Sequence, residues 1–187
     1  MSTAHRAARR AQARAVNPEP QHIRSRDNPS LVLVRRALRD PAAYRREGAL
    51  LWLEGDHLLR ACAARGLPLR QVLLTEAAWA QPALRALAQR SGRVLVLPQR
   101  LFEELSALPS PAAIGALIER PAATPLRGDV GTVLLDRLQD AGNVGSILRS
   151  AAALGVTQLV ALEGTAALWS PKVLRAGMGA HFALQLH

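Results

Sequence analysis

The stretch Thr132–Leu162 constrains this chain more than any other. Val133, Leu134 and Leu135 form a short apolar run, and Gln139 to Gly145 is a polar loop with glycines. A helical pattern follows, Gly155 ends it, and Leu159 to Leu162 is a second apolar run. That order reads as strand, helix, strand. At about 100° per residue, Val144, Ile147, Leu148, Ala151, Ala152 and Leu154 share one side of the helix, while Ser146, Arg149 and Ser150 face away. Asn143 stands where an N-cap is expected, with a side-chain oxygen for a backbone N–H of the first turn. Gly142 and Gly145 carry no Cβ and let a ligand come close to the backbone. Spacing alone leaves two readings open: a capped crossover helix with a solvated arginine, or a helix that presents Arg149 to a ligand.

Asn143, Gly145 and Arg149 form N-x-G-x-x-x-R directly after a strand and a Gln-Asp loop. A second block, Ser170 to Ala180 (SPKVLRAGMGA), places Pro171-Lys172 ahead of Arg175-Ala176 and Gly179-Ala180. The two blocks, in this order, resemble the motifs of the SpoU (TrmH-like) RNA ribose methyltransferases. The resemblance implies attack of a ribose 2′-hydroxyl on the methyl group of S-adenosylmethionine, releasing S-adenosylhomocysteine. It makes Asn143 and Arg149 the expected catalytic residues, with Asn143 orienting the catalytic loop or the ribose. A guanidinium is a poor proton acceptor, so Arg149 is expected to hold an RNA phosphate and orient the hydroxyl, with phosphate or water taking the proton. The resemblance also implies a homodimer. In the family a third motif and a final helix complete the donor pocket by threading a knot; the sequence to His187 does not supply them, and the expectation is a C-terminally incomplete SPOUT-type knot domain.

Within the second block, Lys172 and Arg175 lie three residues apart on one face of a short helix, where they and Arg149 are expected to contact RNA phosphate. Gly177 and Gly179 lower helix propensity and are expected to allow close packing or the approach of the methyl donor. His181 shows no partner in sequence and reads as structural.

The net charge of +10 is unevenly placed. Residues 1–27 carry six arginines against Glu19 and Asp27, residues 28–127 carry fourteen against eight acids, and the remainder is neutral. A basic front half ahead of a neutral motif region fits a chain whose front half holds a polyanion, here ribosomal or transfer RNA. With 49% hydrophobic residues the chain has enough apolar material for a packed core. No apolar run has the length of a membrane span and the N-terminus has no apolar signal core, so the expected location is cytoplasmic, with no membrane partner. The acid-free, arginine-rich Met1–Val16, with Arg6, Arg10 and Arg14 spaced four apart, also resembles an organellar transit peptide. Cys62, the single cysteine, excludes an internal disulfide, leaves no cysteine cluster for a metal and reads as a buried small apolar residue.

In chain order, residues 1–27 read as a disordered basic arm and 28–120 as a small α/β substrate-binding domain. Residues 121–129 read as a linker (Pro121, Pro125, Gly128), and 130–187 as the front part of the methyltransferase domain. In the second segment the pattern places a helix at Leu31–Leu38 and strands at Leu50–Glu54, Gln71–Thr75 and Val94–Leu97. Helices are placed at Leu58–Arg65 and Pro82–Gln89, and a last strand at Phe182–Leu186. This order, with Glu54-Gly55 after the first strand, resembles the ribosomal-protein-like domain that precedes many SpoU catalytic domains. Glu54, Asp56 and His57 cluster in sequence, but a strand-to-helix loop with Asp56 as N-cap explains them without catalysis. Ser110-Pro111-Ala112-Ala113 stands where the family often has Ser-Pro-Gln-Gly. Two rival functions stay open: a non-catalytic RNA-binding protein or inactive methyltransferase fragment, and a dinucleotide enzyme. The second lacks G-x-G-x-x-G and a suitably placed acid.

Overall fold

The computed structural model describes residues 19–106 and 110–187. The arginine stripe of Arg6, Arg10 and Arg14 lies outside the described residues.

Helix α1 (Pro29–Arg39) starts because Asn28 Oδ1 accepts from Ser30 N at 2.9 Å and Pro29 occupies the first turn, where no N–H is needed. It buries Leu31, Val34 and Ala37 at three-residue spacing and ends at Asp40, ahead of Pro41. After a 3-10 turn (Pro41–Tyr44) come β2 (Leu50–Glu54), α2 (Asp56–Ala64) and β3 (Gln71–Thr75). The short helices α3 (Glu76–Ala80) and α4 (Pro82–Ala88) lead to β4 (Val94–Leu97), α5 (Gln99–Glu103) and β5 (Ile114–Glu119). Gly55, not Asp56, is the N-cap of α2; Asp56 sits in its first turn and pairs with Arg60 at 3.1 Å.

Gln21–His22 forms strand β1, parallel to β4 through Gln21↔Leu95 and His22↔Val96. Ile23, next in the chain, is buried and its N–H donates to Val96 O at 2.8 Å. The end of the expected disordered arm is therefore stitched into a sheet, whose order is β1-β4-β3-β5-β2. Strand β4 pairs in parallel with β1 and β3, while β5 runs antiparallel to β3 and β2. Both faces are covered. Trp52, Leu73, Leu95 and Leu117 point to α1 and α5; Leu51, Leu53, Val72, Leu74 and Val96 point to the other face, with α2 and α4. Cys62 is in that second core, and burial pushes its thiol up to about 11.

The second sheet is parallel throughout: β6 (Thr132–Leu135), β7 (Gln158–Ala161) and β8 (Gln185–Leu186), in the order β6-β7-β8. Helix α6 (Ala141–Ala153) connects the first two strands. Helix α7 (Pro171–Gly177) and a 3-10 turn (Ala180–Ala183) precede the last, so the strand expected at Phe182–Leu186 is shortened to its end, with Phe182 and Ala183 in that turn. The core of this sheet is continuous with that of the first: Leu135, Val144, Leu148, Leu159, Trp169, Val173 and Leu174 belong to the same buried cluster as Leu58 and Leu59 of α2. Residues 120–131 contain no helix or strand. Their end is pinned by Gln158, which accepts from Arg127 N at 2.9 Å and donates to Thr132 Oγ1 at 2.7 Å.

Candidate catalytic and RNA-binding site

Helix α6 is built as the periodicity requires along most of its length. Val144, Leu148 and Ala151 are buried, and Asn143, Ser146, Arg149 and Ser150 are exposed. Leu154 departs from the pattern: it is the C-cap, past the last helical turn, and is 82% exposed. Asn143 is not the N-cap either. Asp140 holds that position, with extended backbone (φ −74°, ψ 117°), and its Oδ1 accepts from Asn143 N at 2.7 Å. Satisfying that N–H with Asp140 leaves the Asn143 carboxamide free on the exposed side of the first turn. Asn143, Ser146 and Arg149, each three residues from the next, form an exposed polar stripe. Among the described residues the side chains of Asn143 and Arg149 have no hydrogen-bond or ion-pair partner.

Gly145 is spent on packing. A Cβ there would stand 2.3 Å from Ala176 Cβ, 2.6 Å from Ala176 C and 2.8 Å from Gly177 N, so the space above it is filled by α7 and not left for a ligand. This close crossing puts the helix of Asn143 and Arg149 directly against the helix of Lys172 and Arg175. Ser170 caps α7 through Val173 N, Val173 and Leu174 are buried, and Lys172 and Arg175 are exposed on the other side without partners among the described residues. The helix is stopped by Met178, which adopts the left-handed conformation (φ 49°, ψ 34°).

Gly177 and Gly179 are also close-packed. A Cβ on Gly177 would lie 2.5 Å from His181 Cε1, and one on Gly179 would lie 2.5 Å from Ala61 Cβ of α2. Their smallness lets α7 turn sharply and seat on α2, and a donor-binding role for them rests on the family resemblance alone.

His181 has the partner that sequence did not reveal. It is 1% exposed, its Nε2 lies 2.8 Å from Leu168 O, and its ring packs on Trp169 at 5.3 Å. The carbonyl fixes Nε2 as the donor, which leaves Nδ1 buried without a partner. Burial pushes its pKa down to about 4, partly opposed by the Leu168 carbonyl. The unfolded chain therefore binds a proton at His181 from about pH 6.5 downward, while the folded chain does not until about pH 4. Stability is present in full above pH 6.5 and is lost as pH falls through that window. Between pH 7 and 4.5 the loss is expected to be about 2–3 kcal/mol. Urea unfolding of the parent and of His181→Gln at both pH values measures it; equal pH dependence in the two proteins refutes it.

Glu54, Asp56 and His57, read from sequence as a structural loop, are placed as follows. Glu54 Oε1 accepts from Ser106 Oγ at 2.5 Å and from Ala112 N at 3.2 Å, anchoring the loop before β5, Asp56 pairs with Arg60, and His57 is exposed.

Residues 131–187 match the family model described as the SpoU rRNA Methylase family. The chain is 41% identical to mouse mitochondrial rRNA methyltransferase 3 over 46% of its own length and 23% of the mouse protein's. It is 36% identical to the 23S rRNA (uridine(2479)-2′-O)-methyltransferase of Streptomyces viridochromogenes, over 57% of this chain and 38% of that one. The chain thus spans well under two thirds of these relatives. Among solved structures, the SpoU methyltransferase AviRb of S. viridochromogenes in complex with AdoMet superposes with a TM-score of 0.73 at 27% identity, over 85% of this chain and 62% of that chain.

Proposed function

From the match of residues 131–187 to the SpoU rRNA Methylase family model, we propose that the chain belongs to that family and methylates a ribose 2′-hydroxyl in structured RNA, ribosomal or transfer, with S-adenosylmethionine as donor. The observation that carries the reading is the unpartnered, exposed pair Asn143 and Arg149 on a helix locked against the one that bears Lys172 and Arg175. Polar groups that satisfy nothing inside the fold are available to a substrate.

On the RNA side, the Arg149 guanidinium offers a rigid fork of donors to a phosphate and so fixes the nucleotide beside it. The Asn143 carboxamide, at the start of the same helix, can accept from one ribose hydroxyl while donating to a neighbouring oxygen. Lys172 and Arg175 add phosphate contacts from the adjoining helix. Holding the ribose in one orientation is itself a large source of rate, since it removes the entropy of bringing two reactants together. The donor, when bound, supplies the electrophilic methyl group. Gly177 and Gly179 present no open cradle for it, and the chemistry contributed by this chain's own residues is that of gripping and orienting RNA.

The reading extends to the whole chain as a division of labour, with residues 28–120 as a ribosomal-protein-like RNA-binding domain and 130–187 as the catalytic one. It also extends to a homodimer in the cytoplasm. An exposed apolar pair supports a covering partner: Leu134 of β6 and Leu162, just past the end of β7, are 59% and 40% exposed, although parallel sheets are normally covered on both faces. No helix among the described residues is long and apolar enough to cross a membrane.

Calorimetric titration of S-adenosylmethionine, followed by transfer of its labelled methyl to ribosomal RNA, tests the proposal. The expected product resists alkaline cleavage at the labelled nucleotide, because the methyl blocks the attacking 2′-oxygen. Label on a base refutes the ribose assignment. RNA binding without donor binding supports a second reading, a non-catalytic RNA-binding protein, which the closed glycines favour.

A further inference from the structure

Many of the basic side chains among the described residues are engaged within the fold. Arg60, Arg70, Arg127 and Arg137 sit in carboxylate ion pairs. Arg45 donates to Thr165 O at 2.9 Å and Arg120 to Arg45 O at 2.7 Å. Among those left free, the last turn of α1 places two side by side. Arg36 and Arg39 are exposed there, three residues apart, with no hydrogen-bond or ion-pair partner among the described residues.

They line a surface groove of about 580 Å³ with Val32, Arg35 and Asp40. Arg36 also lines an adjoining groove of about 320 Å³. The one acid they share, Asp40, is committed elsewhere: Oδ1 accepts from Ala42 N at 3.0 Å and Oδ2 pairs with Arg46 at 3.2 Å. The arginine charge in the groove is therefore uncompensated. Cations in the last turn of a helix also complement its dipole, but that accounts for neither the groove nor the diversion of its acid.

Leu38, in the same turn of α1, lines a separate narrow crevice with Trp52, Glu54 and Leu58 and with Pro171, Leu174 and Arg175 of α7. Repeated unpaired guanidinium groups match the repeated phosphates of a nucleic-acid backbone, which guanidinium binds in bidentate fashion.

We propose that Arg36 and Arg39 form a docking site for the RNA phosphate backbone remote from the reacting nucleotide. This rests on the reading of RNA as substrate and adds to it the surface along which the RNA lies.

The test is Arg36→Gln/Arg39→Gln in the full chain, compared with Arg65→Gln/Arg100→Gln, which removes the same charge from two other unpaired positions. Binding of a fluorescein-labelled ribosomal RNA stem-loop is followed by anisotropy across a salt series. The α1 variant is expected to bind on the order of ten-fold more weakly near physiological salt, with the slope of log affinity against log salt reduced by about 1.5. The control is expected to change by less than about three-fold, since its arginines make no phosphate contact. Equal losses in the two variants, or no RNA binding by the parent, overturn the proposal. So does uptake by phosphatidylglycerol vesicles in place of RNA. Donor binding, measured separately by calorimetry, reports on the methyltransferase reading: an α1 variant that loses RNA while the parent binds no donor sinks that reading and leaves the docking site standing.

Discussion

Arg149→Ala is expected to lower methyl transfer to RNA by about 10²-fold or more and to move the unfolding free energy by less than about 0.5 kcal/mol. The two halves of that expectation come from the same geometry. Arg149 is exposed on α6 and bonds to nothing among the described residues, so its removal breaks no contact within the fold, and alanine is a better helix former. In complex with RNA, however, the same side chain is the one rigid fork on the exposed stripe. Losing it frees the ribose to sample unproductive orientations. Arg149→Lys separates charge from shape: a lysine keeps the positive charge but not the bidentate geometry, and recovers only part of the rate. Single-turnover transfer of labelled methyl, with RNA and donor saturating, is the measurement. Parent-like turnover in the alanine variant removes Arg149 from the site.

How much of this was legible in the sequence depended on whether an element's determinants were local. Strands β3 and β4 were readable to the residue, because Gln71–Thr75 and Val94–Leu97 are short apolar runs bounded by polar and glycine-containing turns. Strand β1 was not. Its two residues, Gln21 and His22, are polar and exposed, and they are extended only because β4, some seventy residues later, offers an open edge. The start of α6 was ambiguous although its determinant is local. Asp140 and Asn143 are both good caps, but Ala141 and Gly142 carry no apolar signal that would extend the helix back to Asp140. The exposed stripe of Ser146, Arg149 and Ser150 was visible from periodicity alone. What fills the space over a glycine was not: N-x-G-x-x-x-R is equally consistent with a ligand over Gly145 and with a helix there. The groove of α1 depended on which way the Asp40 carboxylate turns, and with Arg36, Arg39, Arg45 and Arg46 all near it in sequence, its choice of Ala42 N and Arg46 was not readable.

Gly145 then separates a packing role from a ligand-approach role by a measurable sign. Gly145→Ala is expected to destabilise the chain by about 2–3 kcal/mol, even though replacing a helical glycine with alanine ordinarily stabilises by up to about 1 kcal/mol. The clash wins because of what the new methyl group meets. Two of the three atoms within 3 Å of its ideal position, Ala176 C and Gly177 N, are backbone, and neither can rotate away. Relief requires α6 and α7 to move apart, which loosens Val144, Leu148, Val173 and Leu174, all buried between them and the second sheet. Gly142→Ala, in the first turn of the same helix, is the internal comparison. Its methyl would approach only Asp140 Oδ1, at 3.1 Å, a side-chain atom that needs to give by only a few tenths of an ångström and can do so while keeping its bond to Asn143 N. The effect there is expected to stay within about 0.5 kcal/mol of zero. Urea unfolding of the two variants beside the parent decides the matter. Similar stabilities for both would mean that Gly145 does not seat α7, and with that the juxtaposition of Arg149 with Lys172 and Arg175 would lose its structural basis.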